Sequence, residues 1–396
     1  MSLALGRTYL AIPGPSVMPD QVLQAMHRPS PNIYEGELVE LTQSVIADLK
    51  YVARTKHHVA IYIANGHGVW EAALANIAEP GDRLLQIATG AFGHGWADMV
   101  RSMGIEVDVL DFGRNSTYDP EAVREALQNH NYKAVLTTHV DTSTSIKNDI
   151  AQVRRILDET GSEALLAVDC IASLGCDHFE MDDWGVDVMV AACQKGLMVP
   201  AGVGFVFCNE TARQRRHTLN RVSSYWDWEP RIAPDLYFQH FCGTAPTHHI
   251  YGLRAALDLI KDEGIEQVWR RHEILAHALW AAIDVWSHTG AMALNVADPA
   301  LRSHAVTAAS LGAPHGTNLR RWAETKAGLT LGIGLGMATE EDPRADGFIR
   351  FGHMGHLNAQ MMLAAIATTQ AGLMAIGAPL ASGAVDAAAQ IIAQNA

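Results

Sequence analysis

Between residues 59 and 208, apolar runs of strand length alternate with segments of helical periodicity. The runs are 59–64, 84–88, 105–110, 134–138, 165–169, 186–192 and 203–208. After the first of them, Trp70, Ala73, Leu74 and Ile77 recur at i, i+3, i+4 and i+7, the signature of a helix face. Segments 120–129 and 148–160 read as further helices. This alternation predicts a largely parallel α/β sheet, with 203–208 as a returning strand. Ligands of such sheets bind outside the carboxyl ends of the strands, so the residues just past each run carry the functional reading.

Two strand ends stand out. The run 186–192 leads through Cys193 and Gln194 to Lys195, followed by Gly196 and Pro200-Ala201-Gly202. A lysine there either marks the strand end or is held in a cleft, where its amine forms a Schiff base with an aldehyde. Asp169, 26 residues upstream, closes the run 165–169. Facing one crevice, the pair serves the two ends of a pyridine aldehyde: the acid keeps the ring nitrogen protonated and the lysine forms the imine.

Other strand ends add candidates. Asn65-Gly66-His67-Gly68 is a glycine turn between strand and helix, either an anion site at a helix start or an ordinary connection. It matches neither GxxxxGK[ST] nor GxGxxG, which speaks against an NTPase or a dinucleotide enzyme. Phe92, between glycines, stacks on a flat ring or fills the core. The hydroxyl-rich 139–145 touches a cofactor or caps the next helix. Arg350, in the apolar run 348–352, needs a carboxylate, from a substrate or from an internal salt bridge. Ala11 to Ser16, with two prolines and a glycine, is excluded from helix and central strand. Helices are expected over 40–52, 251–263 and 266–286, the last as a bridge to a C-terminal domain. Gly332 to Gly336 reads as a bend or lid loop.

The net charge of −14 and the absence of a Lys/Arg cluster exclude a nucleic-acid partner. Five cysteines without a CxxC pair suit a reducing compartment, and no secretion signal is seen, so a cytoplasmic location is expected. The uncharged stretch 357–385 holds polar residues, glycines and Pro379 and reads as packed Ala-rich helix rather than a membrane span. The histidine pairs 57–58 and 248–249 have no metal-site spacing, so no metal is expected.

Taken together, the chain resembles the class V aminotransferases of pyridoxal-phosphate fold type I. Within them it is most similar to the alanine–glyoxylate and serine–glyoxylate (serine–pyruvate) group. The resemblance rests on Pro13-Gly14-Pro15, Asn65-Gly66-His67 with Glu71-Ala72-Ala73-Leu74, Val168-Asp169 with Ala172-Ser173-Leu174-Gly175, and Gln194-Lys195-Gly196 with Pro200-Ala201-Gly202. Thr244-Ala245-Pro246 and Ile349-Arg350-Phe351-Gly352-His353-Met354-Gly355 complete it. It implies an N-terminal arm (1–20), a large α/β domain (21–255) with a mostly parallel sheet, and a smaller α+β domain (256–396).

The implied cofactor is pyridoxal 5'-phosphate. Lys195 would carry it as a Schiff base and move the substrate proton, and Asp169 would pair with its ring nitrogen. Asn65, Gly66 and His67 would hold the phosphate, with Gln194 nearby. Phe92 would stack on the ring and Thr142 would sit near its hydroxyl. Thr244 would reach in from the partner of a homodimer, and Arg350, helped by Gly14, would clamp the substrate carboxylate. The implied reaction is a two-stage transamination between a small amino acid, alanine or serine, and glyoxylate or another small 2-oxo acid.

Departures from the family pattern are Asn65 for a common serine, Phe92 for a common tryptophan, Phe241 for a common tyrosine, and a polar insert at 339–347. They leave the donor open, with aspartate–glyoxylate, ureidoglycine–glyoxylate and pyridoxamine–pyruvate exchange as alternatives. His67, where a carboxylate would suit an unphosphorylated cofactor, speaks against the last. A cysteine desulfurase would need a cysteine beyond Cys242. A nicotinamide oxidoreductase or a non-catalytic binding protein stands further off.

Overall fold

The computed structural model describes residues 2–339 and 341–395. Met1 of the arm, Glu340 of the 339–347 segment and Ala396 lie outside the described residues. In chain order come β1 (Tyr9–Ala11), α1 (Asp20–Met26), α2 (Glu37–Ala53), β2 (His58–Tyr62), α3 (Gly66–Ile77), β3 (Arg83–Ala88), α4 (Ala91–Ser102), β4 (Glu106–Asp111), α5 (Pro120–Asn129) and β5 (Ala134–Thr138). A short hairpin, β6 (Val140–Asp141) and β7 (Ile146–Lys147), precedes α6 (Ile150–Thr160), β8 (Leu165–Asp169), β9 (Val188–Ala192) and β10 (Gly204–Cys208). Then follow α7 (Glu210–Thr218), α8 (Glu229–Ile232), α9 (Thr247–Glu263), α10 (Ile265–Ser287), β11 (Ala293–Leu294), β12 (Val306–Ser310), α11 (His315–Trp322), β13 (Leu329–Ile333), β14 (Phe348–Gly352), α12 (Ala359–Ala375) and α13 (Ala384–Asn395).

The helices start where local chemistry dictates. Asn65, Asp119 and Asp149 each place a side-chain oxygen on a free amide of the first turn of α3, α5 and α6, and Pro120 stands where no amide is needed. The cap of α6 is therefore Asp149, not the hydroxyl-rich 139–145. The uncharged 357–385 stretch forms α12, then breaks before α13, and no helix among the described residues is long and apolar enough to cross a membrane.

The expected runs form one seven-stranded sheet in the order β2-β10-β9-β8-β5-β3-β4. All its strands run parallel except β10, which is antiparallel to both neighbours. Burial on both faces explains why these strands read as continuous apolar runs. A second, five-stranded sheet has the order β1-β13-β14-β12-β11. The N-terminal arm thus supplies an edge strand to the C-terminal sheet, pairing Tyr9, Leu10 and Ala11 with Leu329, Thr330 and Leu331. Each sheet has its own apolar core, and the handover between them falls along α10, between Val268 and Leu275.

Beyond β1 the arm crosses the second sheet. A Cβ at Gly332 would lie 2.7 Å from Pro13 Cδ, so only glycine lets the arm lie this close. This crossing brings residues 13–16 to the C-terminal edge of the large sheet.

Candidate active site

Asp169 is the last residue of β8 and Lys195 lies three residues past the end of β9, its parallel neighbour. Both reach the edge where parallel strands end. There a cavity of about 170 Å³ is lined by Asn65, Gly66, His67, Trp70, Phe92, Thr142, Asp169, Ile171, Gln194 and Lys195. Eight of these ten are residues expected from sequence. Trp70 and Ile171 are additions.

At one end stands the start of α3. Asn65 Oδ1 accepts the Gly68 N–H at 3.2 Å, which turns the amide's Nδ2 away from the helix. The N–H groups of Gly66 and His67 have no partner among the described residues. Free amides at the positive end of a helix dipole form an anion site. Gly66 is confined as well, since a Cβ there would lie 2.8 Å from Ile171 Cδ1.

At the other end Asp169 is buried, and both its oxygens are engaged. Oδ1 accepts the Ile171 N–H at 2.6 Å and Oδ2 accepts the Trp70 indole N–H at 2.9 Å. Burial pushes its carboxyl up to about 7, opposed by these two donors and by Lys195. Phe92 and Trp70 pack in a T-shaped contact, ring centres 6.2 Å apart. Its amide and that of Gly93 donate to Asp141, which also takes the Ser143 hydroxyl and fixes the start of α4. Thr142, next to Asp141, lines the cavity from the hairpin turn.

Lys195 is held by the arm. Its Nζ donates to the Pro13 carbonyl, Ser16 Oγ donates to the Lys195 carbonyl at 2.7 Å, and the Ser16 amide donates to the Gln194 carbonyl at 2.9 Å. Gly14 backs onto the side chain: a Cβ there would lie 2.5 Å from Nζ. Burial, and then the nearby Arg350 charge, lower the Lys195 amine to about 8. Near neutral pH a usable fraction is the free amine that a nucleophile or base must be. The side-chain oxygen Oε1 of Gln194 is buried without a partner among the described residues.

Arg350, on β14, does not line the cavity but abuts it. Its Nη1 donates to the Thr142 carbonyl at 2.9 Å and its Nε to the Ile333 carbonyl at 2.7 Å. It is 6% exposed and, among the described residues, forms no salt bridge. Of its two readings, the internal salt bridge is thereby removed. Thr244 is exposed and stands outside the cavity of its own chain. The Gly332–Gly336 segment is split: Gly332 and Ile333 belong to β13, and the turn follows at 335–337. Phe241 is a core residue, 1% exposed. The one trio of side chains that converge on a common point in the manner of metal ligands, among the described residues, is Glu273, His277 and His304. None lines the cavity, and Glu273 already pairs with Arg270.

Residues 8–358 match the family model for aminotransferase class-V. The chain is a class V aminotransferase. It is 34% identical to the serine–glyoxylate aminotransferase of Methylorubrum extorquens, over 98% of this chain and 97% of that one. It is 32% identical to the L-aspartate–glyoxylate aminotransferase of Paracoccus denitrificans, over 96% and 94%. Among solved structures, the alanine–glyoxylate aminotransferase of Nostoc sp. superposes with a TM-score of 0.84 at 26% identity, over 93% and 96%. The fold is pyridoxal-phosphate fold type I and the cofactor of this class V aminotransferase is pyridoxal 5'-phosphate. The cavity fits that group: free amides of α3 for a phosphate, a buried acid opposite, an amine between the sheet and the arm, and an unpartnered Gln194 oxygen.

Two lining residues were missed by the sequence reading. Trp70 was counted only as one of an apolar helical stripe, although it lies three residues after His67 and so on the same face of α3. Ile171 follows Asp169 by two, and nothing in its type sets it apart from a core residue.

Proposed function

We propose that this aminotransferase exchanges the amino group of a small L-amino acid, serine or alanine, with glyoxylate or another small 2-oxo acid. The observation that carries the reading is Arg350: a buried guanidinium beside the cavity, held among the described residues by carbonyls only, with Nη2 uncommitted. A planar donor fork without a carboxylate of its own is suited to that of a substrate. The names of the relatives support glyoxylate as acceptor.

When bound, pyridoxal 5'-phosphate supplies an aldehyde for the amino group and a protonated ring that takes up electrons from Cα. The residues around it do the rest. Asn65, Gly66 and His67 hold the phosphate at the start of α3. Asp169 would be held ionised by the positive ring nitrogen it faces, and Phe92 and Ile171 would confine the ring. Arg350 orients the substrate carboxylate, with Gly14 leaving room beside it. Lys195 would take the α-proton on Nζ and return it on the other side of the exchange.

We further propose a homodimer in which Thr244 completes the neighbouring site. Thr244 lies beside an apolar groove lined by Tyr34, Leu236 and Phe238, all exposed in the single chain, which is surface suited to burial by a second copy. Sedimentation at micromolar concentration checks it. The three-part division 1–20, 21–255 and 256–396 is supported by the two separate cores, with α10 as the shared strut. A reducing compartment, the cytoplasm, suits the five free cysteines, four of them buried.

The test is a matrix of L-serine, L-alanine and L-aspartate against glyoxylate, pyruvate and oxaloacetate, read by initial rates. Parallel double-reciprocal lines with serine or alanine and glyoxylate are expected. A sequential pattern, or turnover confined to aspartate, overturns the reading.

A further inference from the structure

We propose that Trp70 is a positioning residue for transamination: its indole N–H favours the ionised form of Asp169 and holds it in the one orientation that meets a protonated ring nitrogen. The inference rests on the role assigned to Asp169 above.

A buried carboxyl prefers its neutral acid. As the acid, Asp169 would lose the charge that keeps a ring nitrogen protonated. Two donors oppose that tendency, the Ile171 amide on Oδ1 and the Trp70 indole on Oδ2. The amide is backbone and present whatever the side chains are. Trp70 is the only side-chain donor to this carboxylate among the described residues. An indole N–H donates and cannot accept or titrate, so its bond is strongest to the ionised form, at any working pH. A histidine or tyrosine in its place would bring a proton equilibrium of its own.

The indole is in turn fixed. Trp70 is 1% exposed and lies stacked on Trp96, ring centres 5.9 Å apart and planes 15° from parallel. Its ring centre is 4.7 Å from that of His67, and Phe92 packs against it in a T-shaped contact. One side chain therefore touches the phosphate end, the ring-stacking wall and the acid. The first turn of α3 holds the phosphate and the next turn holds Asp169, so one rigid helix sets the distance between the two anchors.

The experiment is a double-mutant cycle with Trp70→Phe, Asp169→Asn and the double variant. It is read by kcat, by the pH midpoint of the holoenzyme's visible band, and by equilibrium dialysis of pyridoxal phosphate against apoenzyme. Trp70→Phe alone is expected to lower kcat roughly ten- to hundredfold, the worth of a hydrogen bond to a charged group. It also weakens cofactor binding and moves the midpoint up, because a less positive ring releases the proton beside Lys195 less readily. In the Asp169→Asn background the same change is expected to cost under about twofold, the two residues acting as one unit. An unmoved midpoint, or the full loss repeated in the Asn background, overturns the proposal. If Asp169→Asn alone leaves kcat intact, the role of Asp169 itself is refuted, which is a separate reading of the same data. Should Trp70→Phe fail to fold, benzothienylalanine at position 70 removes the N–H and keeps the shape.

Discussion

Three arginines are buried among the described residues, Arg231, Arg302 and Arg350, and two of them, Arg231 behind the large sheet and Arg350 on the small sheet, are satisfied differently. Arg231, 1% exposed, donates to the carbonyls of Ile61, His240 and Tyr225 and lies over the Tyr62 ring, 4.2 Å from its centre. Its polar reach goes to joining β2 to the segment 225–240. Arg350 donates to two carbonyls through Nε and Nη1 and, among the described residues, stacks on no ring and keeps Nη2 uncommitted. Burial pushes its guanidinium down to about 10, with Asp141 opposing. A buried charge that its own fold does not fully satisfy costs stability. Arg231 too has a buried Nε without a partner among the described residues, but both of its terminal nitrogens are taken, whereas Arg350 keeps one terminal nitrogen for a ligand.

The largest effect sets the scale for that contrast. Lys195→Ala, which removes the reacting amine, is expected to lower kcat by ~10⁴-fold or more. Steady-state rates with serine and glyoxylate check this, and a loss under about tenfold would mean the chemistry lies elsewhere. Next come the two arginines, exchanged for methionine. Arg350→Met is expected to raise KM for the amino acid by roughly ten- to hundredfold and leave the apoenzyme's unfolding midpoint unchanged or higher. Arg231→Met leaves KM unchanged and costs about 3 kcal/mol or more, since three carbonyls, two of them in buried contacts, lose this donor. Urea titration of both apo variants decides; interchanged outcomes break the comparison.

The pH dependence sharpens it. The Lys195 amine, lowered to about 8 by burial first and Arg350 second, must be neutral to capture an aldehyde. Stopped-flow uptake of pyridoxal phosphate by apoenzyme is expected to rise with pH and level off above about 8. Arg350→Met moves that midpoint upward and Arg231→Met does not. Asp169 works in the opposite sense. Its carboxyl is raised from 3.8 to about 7 by burial, so its contribution to apoenzyme stability is full below about pH 4 and fades as pH rises through 7. Melting curves from pH 4 to 8 are expected to show that decline in wild type and not in Asp169→Asn. The smallest effect is Asn65→Ala: loss of the α3 cap costs about 1 kcal/mol, with weaker cofactor binding by dialysis.

Much of the site was legible from the chain alone, for a local reason. Asp169 and Lys195 end apolar runs, and parallel sheets put such ends on one edge. Asn65 is read as a cap because its oxygen serves an amide three residues away. The bounds of α5 and the reversal of β10 follow from equally short-range patterns. The small sheet was harder to read. Its first strand, β1, is only three residues long and comes from the arm, so no periodicity announces it.

What the sequence determined by itself is the alternation of strands and helices, the cofactor class and most of the residues at the cavity edge, since these depend on neighbours a few positions apart. Tertiary structure alone decided three things. It laid the arm across Lys195, 182 residues from Pro13; it set the Trp70 indole on Asp169, 99 residues away; and it left Arg350 with the Thr142 carbonyl, 208 residues away, instead of a carboxylate. Such contacts depend on how whole elements pack, and the type of either partner residue does not reveal them.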